Sequence, residues 1–310
     1  MKRAGIVLLA AALVALPWLA EDYYVNLASQ VLIAALFALS LNLLVGHAGL
    51  TSLGHAAYMG LAAYFTAWFL LRSGSNAIAA PLALASTTAA AALFGLVALR
   101  ASGLGFLMIT LAIGEVLWGL AFRWADVTGG DNGLSGLTRP APFGTPLDSA
   151  ASFYWFTLAV FAAATVLLAL LARSAFGALL RGTRDQPRRM AALGHPVWLI
   201  RYAAFVAAGF FAAVSGVQFA WYQKFVHPFT LSLTTSAEAL LMVIAGGSGT
   251  LAGPIAGAAL VVLLKTYVSA YVERWTMLLG FVFLLIVLFL PEGLVPGLRR
   301  GWERWRSRRA

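Results

Sequence analysis

Cysteine is absent from this sequence, and Lys, Arg, Asp and Glu together supply only 10% of its 310 residues. The first absence excludes disulfides, thiolate metal sites and cysteine nucleophiles. The second excludes a water-facing surface of ordinary composition, since soluble domains carry about 25% charged residues. Most of the surface must face an apolar medium, and the bilayer is the obvious one. No stretch reads as a linker rich in Ser, Gly or Pro. The chain therefore reads as a single transmembrane domain over residues 1–298, followed by a basic tail, 299–310. Catalytic signatures are missing as well. No Gly-rich run is followed by Lys-Ser/Thr, and neither His-Glu-x-x-His nor Gly-x-Ser-x-Gly occurs. The chain reads as no enzyme, with no metal site and no cofactor of its own. It cannot cradle a nucleotide, so energy for any work must come from another subunit or an ion gradient.

What is present is apolar sequence, 62% of the chain, and a net charge of +10. The basic residues cluster beside apolar runs and in the tail, as the positive-inside rule asks of cytoplasmic loops, so we exclude nucleic acid as their partner. A bilayer core about 30 Å thick needs about 20 apolar residues per helix. Such runs cover Ala4–Ala20, Val25–Val45, Leu53–Leu71, Ala77–Leu99, Leu104–Phe122, Phe153–Leu171 and Tyr202–Tyr222. The first follows Lys2 and Arg3 but ends in Pro17-Trp18-Leu19-Ala20, without a small-x-small cleavage site, so it reads as a retained helix.

Alternating these spans from a cytoplasmic N-terminus puts Glu21, Asp22 and the Arg123–Ser152 segment outside. It puts Arg100 and the Arg173–Arg201 loop inside. That loop carries Arg173, Arg181, Arg184, Arg188, Arg189 and Arg201 against one acid, Asp185. A cytoplasmic tail then requires an odd number of crossings after Lys224–Thr235. The run Ala237–Thr266 must break at Ala245–Pro254, where glycines and Pro254 disfavour helix. The expected fold is an all-α polytopic membrane protein with about ten transmembrane helices, some short or broken. The short helix before the break should be shielded by protein rather than lipid.

Four segments are too polar or glycine-rich for plain lipid-facing helix. Gly46–His55 reads either as an ordinary loop with a small-residue helix start or as a broken helix lining a pathway. Its residues Gly46, Ser52, Gly54 and His55 are pathway candidates, as are Gly246, Gly247 and Gly249 of the second break. His47 and His55 lack a nearby carboxylate and do not read as metal ligands. Thr128, Gly129, Gly130, Asp131, Asn132 and Gly133 have turn chemistry, and read either as turns alone or as an ordered external cap. In the Arg173–Arg201 loop, Asp185 or Gln186 can cap a short helix, Pro187 suits its first turn, and Gly194 with Pro196 ends it. A helix so short needs a dock. Met190 and Leu193 share a face with Ala191, ringed by Arg184, Arg188 and Arg189, so the dock is either anionic lipid or a groove on a cytoplasmic partner. Glu115 is read as the acid well inside a span. It is either a carboxyl hydrogen-bonded between helices or a functional group, and is kept as a pathway candidate. Lys265 should snorkel, and Tyr23, Tyr24, Tyr267 and Tyr271 look like interfacial anchors.

Taken in order, four stretches resemble the permease family of branched-chain amino acid ABC importers, of the M type. They are Gly46–Gly60 (GHAGLTSLGHAAYMG), Thr110–Gly136 (TLAIGEVLWGLAFRWADVTGGDNGLSG), Phe176–Gly194 (FGALLRGTRDQPRRMAALG) and Val243–Ala258 (VIAGGSGTLAGPIAGA). Pro291-Glu292-Gly293-Leu294 before a basic tail is similar to the family's ending. The resemblance implies an ABC importer permease fold in a bacterial inner membrane, with alternating access as mechanism; Lys2, Arg3 and the arginines of the tail place both termini in the cytoplasm. It implies that Asp185–Gly194 is a coupling helix seated on one of two ATPase subunits, which bind the ATP and Mg. It implies a homologous second permease, and an extracytoplasmic binding protein delivering substrate at the Thr128–Gly136 side. The family also includes permeases for urea and short amides. The competing reading from the residues is an ion-coupled transporter with Glu115 as proton site.

Overall fold

A computed structural model describes residues 12–142, 145–269, 271, 275–290, 292–298 and 300. The charges at Lys2 and Arg3, and those of the tail beyond residue 300, lie outside the described residues. Helix α1 covers residues 12–19. The next four helices are α2 (Asp22–Asn42), α3 (Ala56–Ser73), α4 (Asn76–Ala98) and α5 (Leu104–Arg123). The short α6 (Ala125–Thr128) precedes α7 (Ala150–Arg173), α8 (Ala175–Asp185), α9 (Pro187–Ala192) and α10 (Val197–Gln223). The chain continues through α11 (Leu233–Gly246), α12 (Ala252–Ser269), α13 (Trp275–Phe289) and α14, residues 294–298. Among the described residues, six helices are long and apolar enough to cross a membrane: α2 with its extension, α4, α5, α7, α10 and α12. The chain is an all-α polytopic membrane protein.

The centre is α2. Of its most apolar window 83% is buried, against 22% for α4 and 28% for α5 and α7. It packs against α7, α10, α11 and α12, while α3 and α4 pack on α10. Leu36, Leu39, Leu41, Leu44, Phe106, Tyr154 and Phe205 are among the most deeply buried side chains of the main core. Lipid is as apolar as these side chains, so close approach of backbones does much of the holding. A Cβ on Gly216 would overlap the Met59 carbonyl, and one on Gly209 would press on Ala91.

The expected break in the C-terminal third is present between α11 and α12. Helix α11 starts earlier than its apolar run, at Leu233, because the Ser232 hydroxyl accepts from the Thr235 N–H at 3.3 Å. Its 14 residues span about 21 Å, short of the bilayer core. Consistent with that, Ala239, Met242, Val243 and Ala245 are all buried in the bundle.

Contacts define two ends of the bundle. At one, the connection after α2, the loop before α12 and the end of α8 meet. At the other, a two-residue antiparallel ladder joins β1 (Leu134–Ser135) to β2 (Phe225–Val226), pairing Leu134 with Val226 and Ser135 with Phe225. The first end carries the arginine-rich loop and the second the Arg123–Ser152 segment. The four tyrosines Tyr23, Tyr24, Tyr267 and Tyr271 are all exposed.

Candidate functional site

The two glycine breaks, about 200 positions apart in sequence, meet at the arginine-rich end. Helix α2 does not stop cleanly but winds into a π-helical turn over Leu43–Ala48, ended by Gly49 at φ +69°. Asn42, 1% exposed, crosses to the other break. Its Nδ2 donates to the Thr250 carbonyl and its Oδ1 accepts from the Gly249 N–H, both at 2.9 Å. Gly46 lies against the same turn, and a Cβ there would overlap the Gly249 backbone. Gly246 packs on the Gly253 carbonyl, and Gly247, at φ +114°, is covered by Pro296 and Gly293. Of the candidate pathway glycines, Gly46, Gly246, Gly247 and Gly249 thus form one closely packed closure.

The remainder of the first break runs inward. Gly54 abuts the Thr110 carbonyl of α5. The Ser236 hydroxyl of α11 accepts from the Ala56 N–H at 3.0 Å, which ties the start of α3 to α11. His55 is fully buried, stacked on Phe37 at 5.5 Å, with its Nε2 2.8 Å from the Ser40 hydroxyl. Ser40 donates its own proton to the Phe37 carbonyl, so the hydrogen between it and His55 belongs to Nε2. Ser52 is also buried, and its hydroxyl has no hydrogen-bond partner among the described residues.

The arginine loop holds more helix than its sequence suggested. Besides the short α9 it contains the amphipathic α8, started by the Ser174 hydroxyl accepting from the Gly177 N–H. Gln186 is the N-cap of α9, with no side-chain hydrogen bond from it, and Pro187 takes the first position. The helix ends at Gly194, φ +82°, with the His195 N–H reaching the Met190 carbonyl at 3.1 Å. Leu193 is 66% exposed, whereas Met190 is half-buried, its sulfur turned toward Gly182 of α8. Arg188, Arg189 and Ala191 are exposed. Not all the arginines are free surface charge. Arg181 donates to the Ala172 carbonyl at 2.7 Å and Arg201 to the Thr183 carbonyl at 2.9 Å. Arg184 pairs with Asp185 at 2.8 Å and also donates to the Gly46 carbonyl. It therefore bridges α8 to the closure.

At the opposite end the Thr128–Gly133 turn is both a turn and an ordered cap. The Thr128 hydroxyl lies 2.6 Å from the Ala121 carbonyl and 2.7 Å from that of Trp124, and it accepts from the Gly130 N–H. Glycine is obligatory at Gly133, where φ is +66° and a Cβ would overlap the Val226 carbonyl across the ladder. Asp131 faces His227 at 3.7 Å, while Asp131 and Asn132 stay exposed.

Two acids complete the picture. Glu115 lies midway along α5 but not between helices of this chain: it is exposed, on a face shared with Gly105, Met108, Ala112 and Gly119. The reading of Glu115 as the acid within a span missed Glu238, in the second turn of α11. Its carboxylate is held by Lys265 of α12 at 3.0 Å, so Lys265 does not simply snorkel. This pair borders a cavity of about 250 Å³ between α2, α3, α10, α11 and α12. Sequence reading also missed Asn42; its signal was an amide inside the apolar run Leu36–Val45.

A family model described as "Branched-chain amino acid transport system / permease component" matches residues 23–288. The chain is similar to the high-affinity branched-chain amino acid transport system permease protein LivM of Salmonella typhimurium and to that of Escherichia coli. It is 27% identical to each, across 91% of this chain and 72% of each relative. No solved structure matches it.

Proposed function

Because the chain belongs to the branched-chain amino acid transport permease family, we propose that it is the membrane subunit of an ATP-driven importer for branched-chain or related apolar amino acids. Two ATPase subunits, a homologous second permease and an extracytoplasmic binding protein complete the assembly, in a bacterial inner membrane. Both termini and the arginine-rich end face the cytoplasm, where the ATPases hold ATP and Mg.

The observation that carries this reading is the path from α9 to the closure. Exposed Leu193 and Gly194 offer an apolar knob on the ATPase side. Arg184 links the adjoining α8 to Gly46, and Gly46 packs on Gly249. A displacement of α8 and α9 by a closing ATPase pair therefore bears directly on the two glycine breaks. Few side chains obstruct such a movement, since backbone packs on backbone there. The Thr128–Gly133 cap, with Asp131 and Asn132 exposed, faces the binding protein.

The sister permease covers α5. A carboxyl at the middle of a 20-residue span would not be left against lipid, where it costs about 3 kcal/mol or more. The seven-residue spacing of Gly105, Ala112 and Gly119 suits close approach of another helix. Glu115 is then a polar contact between permeases rather than a proton carrier. Reconstitution of this chain with its neighbouring ATPase, sister permease and binding protein, followed by uptake of labelled leucine against labelled urea, tests the reading. Leucine uptake with no urea uptake is expected. The reverse preference would assign the chain to the short-amide branch.

A further inference from the structure

A crevice opens between α4 and α5, on the side of α5 turned away from Glu115. Leu117, which lines it, is about 200° around the helix from that acid. Helices α3 and α4 pack closely on each other, whereas α5 meets both only sparsely. The space left is a cavity of about 400 Å³, walled mainly by Leu61, Phe65, Phe94, Leu117, Leu120 and Leu231. Proteins rarely keep voids this large, because the wall atoms forfeit their contacts. Water does not settle in an apolar cavity. The Thr128 hydroxyl on its border is already committed to the Ala121 and Trp124 carbonyls. A further helix does not fit, since one turn, about 10 Å across and 5.4 Å high, takes up about this whole volume. A thin, flexible hydrocarbon does fit. It would enter past Leu120 and Trp124, which are 48% and 50% exposed.

The mouth adds charge. Trp68 and Trp124 stand there, and each adjoins an arginine. The Arg72 guanidinium lies 3.8 Å over the Trp68 ring, and Arg123 ends α5 immediately before Trp124. Both arginines are exposed. Neither has an acidic partner among the described residues, the nearby Asp126 included. With the ladder end read as external, arginines there run against the positive-inside bias. Tryptophan is at home at the headgroup level, and the guanidinium fork matches phosphate. From Trp68 the wall runs inward about 10 Å along α3 to Leu61. Charge at the mouth and hydrocarbon beneath it follow the order of a phospholipid.

We propose that this crevice binds one anionic phospholipid. An acyl chain rests on Leu61, Phe65, Phe94 and Leu117, and Arg72 and Arg123 donate to the phosphate. The chain completes the packing of α5, which protein alone leaves unfinished. The site does not depend on which solute the permease carries.

The test places the full chain in nanodiscs, alone and with its sister permease, and adds phosphatidylglycerol carrying a diazirine midway along one acyl chain. Illumination should label residues 61–65 and 117–120 several-fold more than residues 166–170 of α7, where Val166, Leu167 and Leu170 are exposed. Unlabelled phosphatidylglycerol should displace the probe at a several-fold lower mole fraction than phosphatidylcholine with the same chains. Glycerophosphoglycerol, which has the headgroup and no chains, should not displace it. Arg72→Gln/Arg123→Gln should erase the preference between the two lipids. Ala90→Phe, which fills the cavity, should erase the excess label with both arginines in place. Even labelling of α5 and α7, equal displacement by the two lipids, displacement by the headgroup alone, or excess label that persists in Ala90→Phe overturns the proposal. So does loss of the excess when the sister permease is present, since a protein would then cover the crevice. The lipid comparison uses the parental chain, so it decides the matter even if a variant does not fold.

Discussion

Replacing Asn42 by Leu should loosen the closure at the arginine-rich end. The side chain makes two hydrogen bonds, both 2.9 Å, to backbone groups of the other break. Leucine is similar in volume and removes both. An unpaired buried donor or acceptor costs about 1–3 kcal/mol. Gly249 is exposed enough for water to replace part of its lost partner, whereas Thr250 is half-buried. The sum is therefore about 2–4 kcal/mol against the closed arrangement. At tenfold per 1.4 kcal/mol, the open population rises between about 30-fold and several hundred-fold. Ser52, fully buried within the first break, provides the reporter. With Ser52→Cys as the single thiol of the chain, maleimide labelling should accelerate by that factor in the Asn42→Leu background. Without opening, the two rates would coincide. A Leu variant that labels at the parental rate would show that Asn42 does not hold the closure, and would remove the link between the two glycine breaks.

Three further outcomes follow from the same geometry. Leu193→Asp should weaken ATPase association by several kcal/mol if that contact is desolvated, and Gly194→Val forces a β-branched residue into the left-handed region. Both should insert normally and lose stimulated ATP hydrolysis and uptake together, which co-purification with the ATPase and uptake assays will check. Glu115→Gln should retain much of the uptake with no new dependence on a proton gradient; complete loss in a well-folded variant would favour the ion-coupled reading. Gly133→Val combines a backbone at φ +66°, ψ −169°, a region essentially reserved for glycine that costs other residues about 1–3 kcal/mol, with overlap on the Val226 carbonyl. It should reduce stimulation of ATP hydrolysis by the binding protein while leaving basal hydrolysis near the parental rate.

The sequence was most legible where the bilayer dictates length. Spans, connections and the break before Pro254 follow from about 20 apolar residues per crossing and from parity of charge. Ends were less legible because local capping decides them: Ser232 starts α11 ahead of its apolar run, and α2 continues through a π turn to Ala48. The arginine-rich loop was read as one short helix because α8 is too polar to register as a span and too short to show a long period. Pairings across the chain were not legible at all. Asn42 and Gly249 are 207 positions apart, and Arg184 and Gly46 138. Nothing local in either partner announces the other. Glu238 was overlooked for a related reason, since a carboxylate at a helix start looks like an interfacial charge until Lys265 is seen opposite it.

The most direct measurement is labelled leucine uptake into liposomes holding the complete assembly, with ATP enclosed on the ATPase side and ion gradients collapsed by ionophores. The account predicts accumulation that requires ATP hydrolysis, persists without any gradient, and disappears when this chain is omitted. Uptake by this chain alone that is driven by a proton gradient and abolished by a protonophore would contradict it.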